Sequence, residues 1–362
     1  MTRRFAAVLL SLLLLVQPVL VSAAGYEYKV TYEFENRGTA PLVLTDMDVA
    51  VPMFMNSSWQ KVRLAEASVS FTVEELDEDG GKGAVMGVPR TLGPGESTSF
   101  TVSYAMESTA RAVPGFSQSD AEPLSSIPQS LVDAYCFPTE TFQSDHPLIA
   151  SKAQEVAGGA TTVLEAVDLL VEYVKGEITY RNFEVPMYPN ATLQDGLGDC
   201  DDQSILLISM LRNLGIPSYL QVGVYIHPSI DDSETSWDGH LTNTQTGVGW
   251  HGWAMVYVPP WGWVPVDLTL TSSNDGLEFL RRAPEYGGNV LTAYEVSRQP
   301  YIGESLETRD RIIGSTLYVT IIDEATEIQE SSLGMDAWLV AGLGASVAAA
   351  LVMMFVSGRK AS

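Results

Sequence analysis

Gly198-Asp199-Cys200-Asp201-Asp202-Gln203 runs directly into Ser204-Ile205-Leu206-Leu207-Ile208-Ser209-Met210-Leu211-Arg212-Asn213-Leu214. Its apolar residues leave almost no polar stripe, so it predicts a helix buried nearly all round at the centre of its domain. Gly215 stands where a helix C′ residue belongs, and Pro217 just beyond blocks continuation. A central helix holds its first residues rigidly, and Cys200 sits at that entrance. There the macrodipole and unpaired amide groups favour a thiolate and supply donors for a developing oxyanion.

Downstream, His251 begins a strand in Trp250-His251-Gly252-Trp253, and Asp267 ends the next one in Trp263-Val264-Pro265-Val266-Asp267. Pro259-Pro260-Trp261-Gly262 reads as the turn between them. Folding about that turn brings His251 and Asp267 to within a few residues of opposite, where cross-strand neighbours lie about 5 Å apart. Chemistry then assigns roles: Cys200 as nucleophile, His251 as the base that takes its proton, Asp267 as the carboxylate that fixes the imidazole tautomer. Trp253 is a candidate pocket wall beside the histidine. The chain has two cysteines, so a Cys136–Cys200 disulfide in an oxidising exterior is the competing reading.

Asp199, Asp201 and Asp202 crowd Cys200, and three carboxylates raise a thiol pKa and counter the helix dipole unless something neutralises them. One is expected to cap the helix. The others offer the hard oxygen ligands that calcium prefers, which makes these aspartates calcium candidates, although no cofactor is required by the chemistry. Zinc is not expected, since the chain has no paired Cys/His spacing. The segment from Ile226 to Gly249, rich in Asp, Ser, Thr and Gly, reads as a loop that covers the cleft.

Around this centre the pattern divides the chain. Val163, Leu164, Val167, Leu170, Val171 and Val174 follow helical spacing up to Gly176, and Pro147 to Ala157 forms a shorter helical pattern. Strands are expected at Tyr219 to Ile226, Gly252 to Val258, Trp263 to Leu268 and Thr316 to Ile322. Before them, Tyr28-Val30-Tyr32-Phe34, Val69-Phe71-Val73 and Phe100-Val102-Tyr104 appear as alternating runs between turn residues, which predicts a small antiparallel β-sandwich over 25–112. Pro114, Pro123, Pro128 and Pro138 mark 113–142 as a linker draped over the core domain, 143–323.

The two ends carry membrane signals. Arg3-Arg4, the apolar run from Phe5 to Val16 and the small residues Ser22-Ala23-Ala24 have the order of a secretory signal peptide, 1–24. Residues 337–356 are uncharged over a length that spans a bilayer core, and Arg359-Lys360 follow. The positive-inside rule places the tail 357–362 in the cytoplasm and everything between the two segments outside, with 324–336 as a stalk. Twenty basic residues stand against 45 acidic ones, a net charge of −25, so binding to nucleic-acid phosphates is opposed by the field of the whole chain.

Taken in order, Gly-Asp-Cys before an apolar helix, Leu211-Arg212-Asn213-Leu214-Gly215-Ile216-Pro217, His251-Gly252-Trp253 and Trp263-Val264-Pro265-Val266-Asp267-Leu268-Thr269 resemble the transglutaminase-like branch of the papain-fold superfamily. The resemblance covers roughly Ser125 to Ile322. It implies an α+β papain-like fold and a Cys-His-Asp triad at Cys200, His251 and Asp267. Leu268 departs from the family, which usually has proline after the aspartate. The N-terminal β-rich part is similar to the Ig-like sandwich that precedes this core in membrane-anchored archaeal and bacterial relatives. Gln194 stands where papain-like enzymes place an oxyanion-hole glutamine, and the Asp-Cys-acid-Asp motif is similar to that of bacterial members in which these carboxylates bind calcium. The resulting expectation is a single-pass, membrane-anchored extracytoplasmic thiol enzyme acting on protein or peptide amides through a thioester. Hydrolysis is slightly favoured over transfer to amines, and the alternative is a catalytically silent surface-binding or adhesion module.

Overall fold

Residues 23–328, apart from residue 274, are described by the computed structural model. Alternation builds the first long strand, β1 (Ala23–Asn36), with Tyr26, Tyr28, Val30 and Phe34 buried on one face. The shorter strands β2 (Leu42–Val43), β3 (Ala50–Pro52), β4 (Gln60–Ala67), β5 (Phe71–Glu75), β6 (Lys82–Met86) and β7 (Thr91–Leu92) follow. The long strand β8 (Ser97–Thr109) then returns antiparallel to β1, with Tyr28 opposite Tyr104 and Tyr32 opposite Phe100. These aromatic pairs stack with ring centroids 5.6 and 5.2 Å apart, each adding to the burial that holds the strands.

Helices come next: α1 (Gln129–Tyr135), α2 (Pro147–Ala157) and α3 (Val163–Glu177). The strand β9 (Thr179–Tyr180), the helix α4 (Pro189–Asp195) and the strand β10 (Leu197–Gly198) lead into α5 (Cys200–Asn213). Residues 202–212 of α5 are all buried, as its composition requires. The chain continues through β11 (Ser218–Ser236), β12 (Leu241–Val258), β13 (Gly262–Val266), α6 (Gly276–Arg281), β14 (Val290–Val296), α7 (Tyr301–Ile313) and β15 (Leu317–Ile328).

One sheet runs in the order β14-β11-β12-β15-β1-β8-β4, with β13 paired to β12. Strand β12 is long enough to serve different partners along its length. Its first residues, from Leu241 to Thr246, run parallel to β15, while Ala254 to Val258 pair antiparallel with β13, and this change of partner curls the sheet. Strands from both sides of the expected linker therefore share hydrogen bonds: β15 lies between β12 and β1. Tyr28 donates to Asp323 at 2.5 Å and Lys29 to Glu324 at 2.6 Å across that seam. Two large apolar clusters result. One joins α2, α3 and α5 to the sheet, and the other joins the N-terminal strands to β15 and the middle of the β11–β12 hairpin.

The segment expected to be a covering loop is the outer half of that hairpin. Residues 231–236 pair with 241–246 after a register shift beyond Ile226. Ser233 and Thr244 share a hydroxyl hydrogen bond at 3.0 Å, and Thr235 and Thr242 share one at 3.3 Å. This arm is stabilised by backbone pairing and polar cross-strand contacts, so it lacks the apolar alternation from which strands are read. Among the described residues no helix is long and apolar enough to cross a membrane. The signal-peptide core and the apolar run 337–356 lie outside the described residues.

Candidate active site

The chain reaches Cys200 through a tightly shaped approach. Gly196 closes α4 in the left-handed region (φ 66°), and β10 then pairs with β9 in parallel. An added Cβ on Gly198 would lie 2.8 Å from Asp202 Cβ, so a side chain at this position would push the approach away from the helix. Gln203 donates from Nε2 to the Gly198 carbonyl at 2.9 Å, and the Asp199 amide donates to Asp202 Oδ2 at 3.2 Å. Asp202 is thus the carboxylate that caps the helix entrance. Its other oxygen accepts the Met187 amide at 2.6 Å, while Asp199 Oδ2 accepts the Phe183 amide at 3.2 Å.

Helix α5 then docks on β12 at Gly252. Ser204 Oγ donates to the Cys200 carbonyl at 2.7 Å and lies 3.4 Å from the Gly252 carbonyl, and the Gly252 amide bonds the Cys200 thiol. The thiol therefore meets the residue next to His251. Continued one residue past the end of β13, the β12–β13 register sets Asp267 across from Trp253, two residues along from His251. His251 Nε2 and Asp267 Oδ2 are 2.5 Å apart, both side chains being buried. Asp267 Oδ1 accepts the amides of Thr269 and Leu270, each at 2.8 Å. With Nε2 engaged, Nδ1 is the ring nitrogen left to exchange a proton with a neighbour. Trp253, read as a pocket wall, is 1% exposed; it stacks on His251 and is fixed by its indole N–H to Gln221 Oε1 at 3.1 Å.

Electrostatics divides the site. Burial raises the Asp267 pKa, but the His251 charge and hydrogen bond and the Leu270 and Thr269 amides outweigh it, leaving the carboxyl below its usual range. Burial, then the charges of Asp201 and Asp199, push the Cys200 thiol well above its usual range, against the smaller effect of the Gly252 amide. Burial and Asp199 push Asp202 up to about 7. Asp201 is held well above the carboxylate range by burial, then by Asp199 and Asp202. A cation at this cluster would relieve that crowding. Ligand atoms of Asp199, Cys200 and Asp201 lie within 4.8 Å of one another, and Asp199 Oδ1 is buried without a hydrogen-bond partner among the described residues. Both Asp202 oxygens are taken by amides, and Tyr301 donates to Asp201 Oδ2 at 3.0 Å. Asp199 Oδ1 and the remaining Asp201 oxygen are the best-placed hard donors, and they suit a cation such as calcium.

Gln194 lies exposed on α4. Cys136 and Cys200 are both free thiols. Cys136 is pushed up to about 11 by burial against the opposing charge of Arg212, which lies on the last turn of α5. Twelve residues of helix separate Arg212 from Cys200, about 18 Å at 1.5 Å per residue, so the thiols belong to opposite ends of α5. Two features were absent from the sequence reading. Glu285 is buried beside His251 and Asp267, and a cavity of about 480 Å³ is lined by Tyr32, Trp237, Trp250, Tyr294, Tyr301 and Glu184, among others. Trp250 precedes the histidine and Tyr301 bonds Asp201, so the cavity borders the site.

A model of the transglutaminase-like superfamily matches residues 150–268, a span that includes Cys200, His251 and Asp267. The chain is similar in structure to a protein from Cytophaga hutchinsonii provisionally assigned as a cysteine protease. The TM-score is 0.53 and the identity 12%, over 86% of this chain and 92% of that one. It is also similar to the periplasmic domain of TgpA from Pseudomonas aeruginosa, solved with ethylmercury, at a TM-score of 0.34 and 16% identity over 70% and 75% of the two chains. No curated protein matches it in sequence. The chain thus carries a transglutaminase-like superfamily domain, a mixed α/β core with a curled sheet.

Proposed function

We propose that the chain is an extracytoplasmic thiol enzyme, membrane-anchored through residues 337–356, that cleaves protein or peptide amides through a thioester. The observation that carries the reading is the buried His251–Asp267 pair at 2.5 Å, next to the strand residue on which the Cys200 helix docks. Cys200 Sγ attacks the amide carbonyl carbon as its proton passes to His251. The C–N bond breaks, the amine departs with that proton, and a thioester remains. Water then adds to the thioester carbon, giving its proton to His251; the C–S bond breaks, the thiol recovers the proton and a carboxylic acid is released. An amine in place of water would give acyl transfer. Hydrolysis is favoured slightly because the motif resembles those of microbial relatives and no identified element excludes water. Asp199 and Asp201 are proposed to hold calcium, which when bound would offset the negative charge beside the thiol.

A catalytically silent binding module is the second reading, and the thiol held protonated by burial and then by its acidic neighbours favours it. Site-resolved alkylation of the full-length chain, followed by mass spectrometry, separates the two. The enzyme reading expects Cys200 to react faster than Cys136 in the presence of calcium, His251→Ala to abolish the difference, and chelation to lower both reactivity and melting temperature. A slow Cys200 indifferent to His251, with or without calcium, would establish the silent module. An unchanged melting temperature and reactivity after chelation would remove calcium alone.

A further inference from the structure

Glu285 lies in the turn Pro284–Tyr286, where its side chain is enclosed and the residue is 3% exposed. One side-chain ligand atom from each of His251, Asp267 and Glu285 lies within 4.8 Å of the other two. Among the described residues, no other residue donates a hydrogen bond to either carboxylate oxygen of Glu285. Asp267 is already committed at both oxygens, to His251 and to the amides of Thr269 and Leu270. The other charged groups that bear on the pocket are Arg111 and Lys175. Arg111 bonds the Glu285 backbone carbonyl, not its side chain, at 2.8 Å, and spreads over Trp59 and Tyr286. Lys175 lies in the field of Asp267, with Gln203 Oε1 at 3.5 Å from its Nζ. Two ionised carboxylates enclosed in one buried pocket repel each other, and each unpaired oxygen carries a desolvation cost.

One proton removes both difficulties. We propose that Glu285 is a positioning residue, held as a neutral carboxylic acid that donates a hydrogen bond to Asp267 and so keeps that carboxylate aimed at His251 Nε2. Its O–H has an acceptor within the cluster, and the pocket retains a single negative charge facing the imidazole. Burial, followed by the charge of Asp267, favours the proton on Glu285, with its own backbone amide and then Arg111 opposing. The protonated acid also explains why the cluster suits a hydrogen-bond relay better than a metal centre: its atoms are used on one another. The inference rests on Cys200, His251 and Asp267 forming the reactive series.

The test uses the full-length chain with Glu285→Gln, Glu285→Ala and His251→Ala, measuring Cys200 alkylation across pH together with infrared difference spectra. Glutamine retains an N–H donor, so its alkylation rate should stay within about twofold of wild type, whereas alanine should lower it by about tenfold, the scale of a hydrogen bond to a charged group. The wild type minus Glu285→Gln spectrum at neutral pH should contain the carbonyl band of a protonated carboxylic acid, and that band should shift in Asp267→Asn. Absence of the band, or glutamine falling as far as alanine, would overturn the proposal. Should Glu285→Ala fail to fold, the infrared band and the glutamine rate still decide. If His251→Ala leaves Cys200 reactivity unchanged, the triad reading fails, while the band reports on Glu285 independently.

Discussion

Asp267 divides its two oxygens between different tasks, which permits a test of its role by exchange of one atom. Oδ1 accepts the Thr269 and Leu270 amides, and Oδ2 faces His251. Asparagine can preserve the first set through its carbonyl while presenting N–H₂ to the ring, forcing His251 Nε2 to be an acceptor and leaving the proton on Nδ1. Asp267→Asn should therefore fold normally by thermal melting, yet lower amide turnover by roughly 10⁴-fold, the loss typical of a triad with the wrong tautomer. At this scale the sequence made the meeting of His251 and Asp267 legible, because β12, which bears His251, and β13, which ends just before Asp267, are consecutive strands joined by a short turn. Glu285 was illegible for the opposite reason. It comes from a separate turn, and one glutamate carries no signal until tertiary packing buries it beside another carboxyl.

The central element contact is the seat of α5 on β12, and glycine makes it close. A Cβ added at Gly252 would lie 3.0 Å from Asp201 Cβ and 3.4 Å from Asp201 Cα. Gly252→Ala should push the first turn of α5 off the strand and separate the thiol from its neighbouring amide. Urea unfolding should show a loss of about 1–3 kcal/mol, the range for overpacking a tight interior. Cys200 alkylation should lose its dependence on His251 in the same variant. Helix α5 was legible from composition, since an apolar segment of its length has only the core in which to lie. The outer β11–β12 hairpin was not, because its Ser, Thr and Asp residues pair across the strands without burying an apolar face.

Across the whole molecule, β15 joins the N-terminal strands to the rest of the curled sheet, and Asp323 is the buried acid at that seam. Burial pushes its carboxyl up to about 6, against the lowering effect of hydrogen bonds from Tyr28 and Trp250. Unfolded aspartate releases its proton near about 3.9. Between these values the folded state binds more protons, so this group makes stability fall as pH rises from about 4 to about 6. Asp323→Asn lacks that slope. Urea unfolding over this window should therefore show wild type losing roughly 2 kcal/mol relative to the variant, with the difference constant above it; a flat difference would mean that Asp323 does not hold its proton.

Local chemistry and periodicity were enough to identify the buried helix, the thiol at its entrance, the strand bearing His251, the strand that ends just before Asp267, and the acidic residues crowded around the thiol. These features repeat over a few residues or follow from side-chain type, and both are written along the chain. The union of the N-terminal strands with the core through β15, the commitment of Asp202 to capping, the burial of Trp253 and the nearness of Glu285 to Asp267 were settled only in three dimensions. Each depends on which surfaces exclude water together, and residues far apart in sequence acquire that shared environment only when the sheet closes.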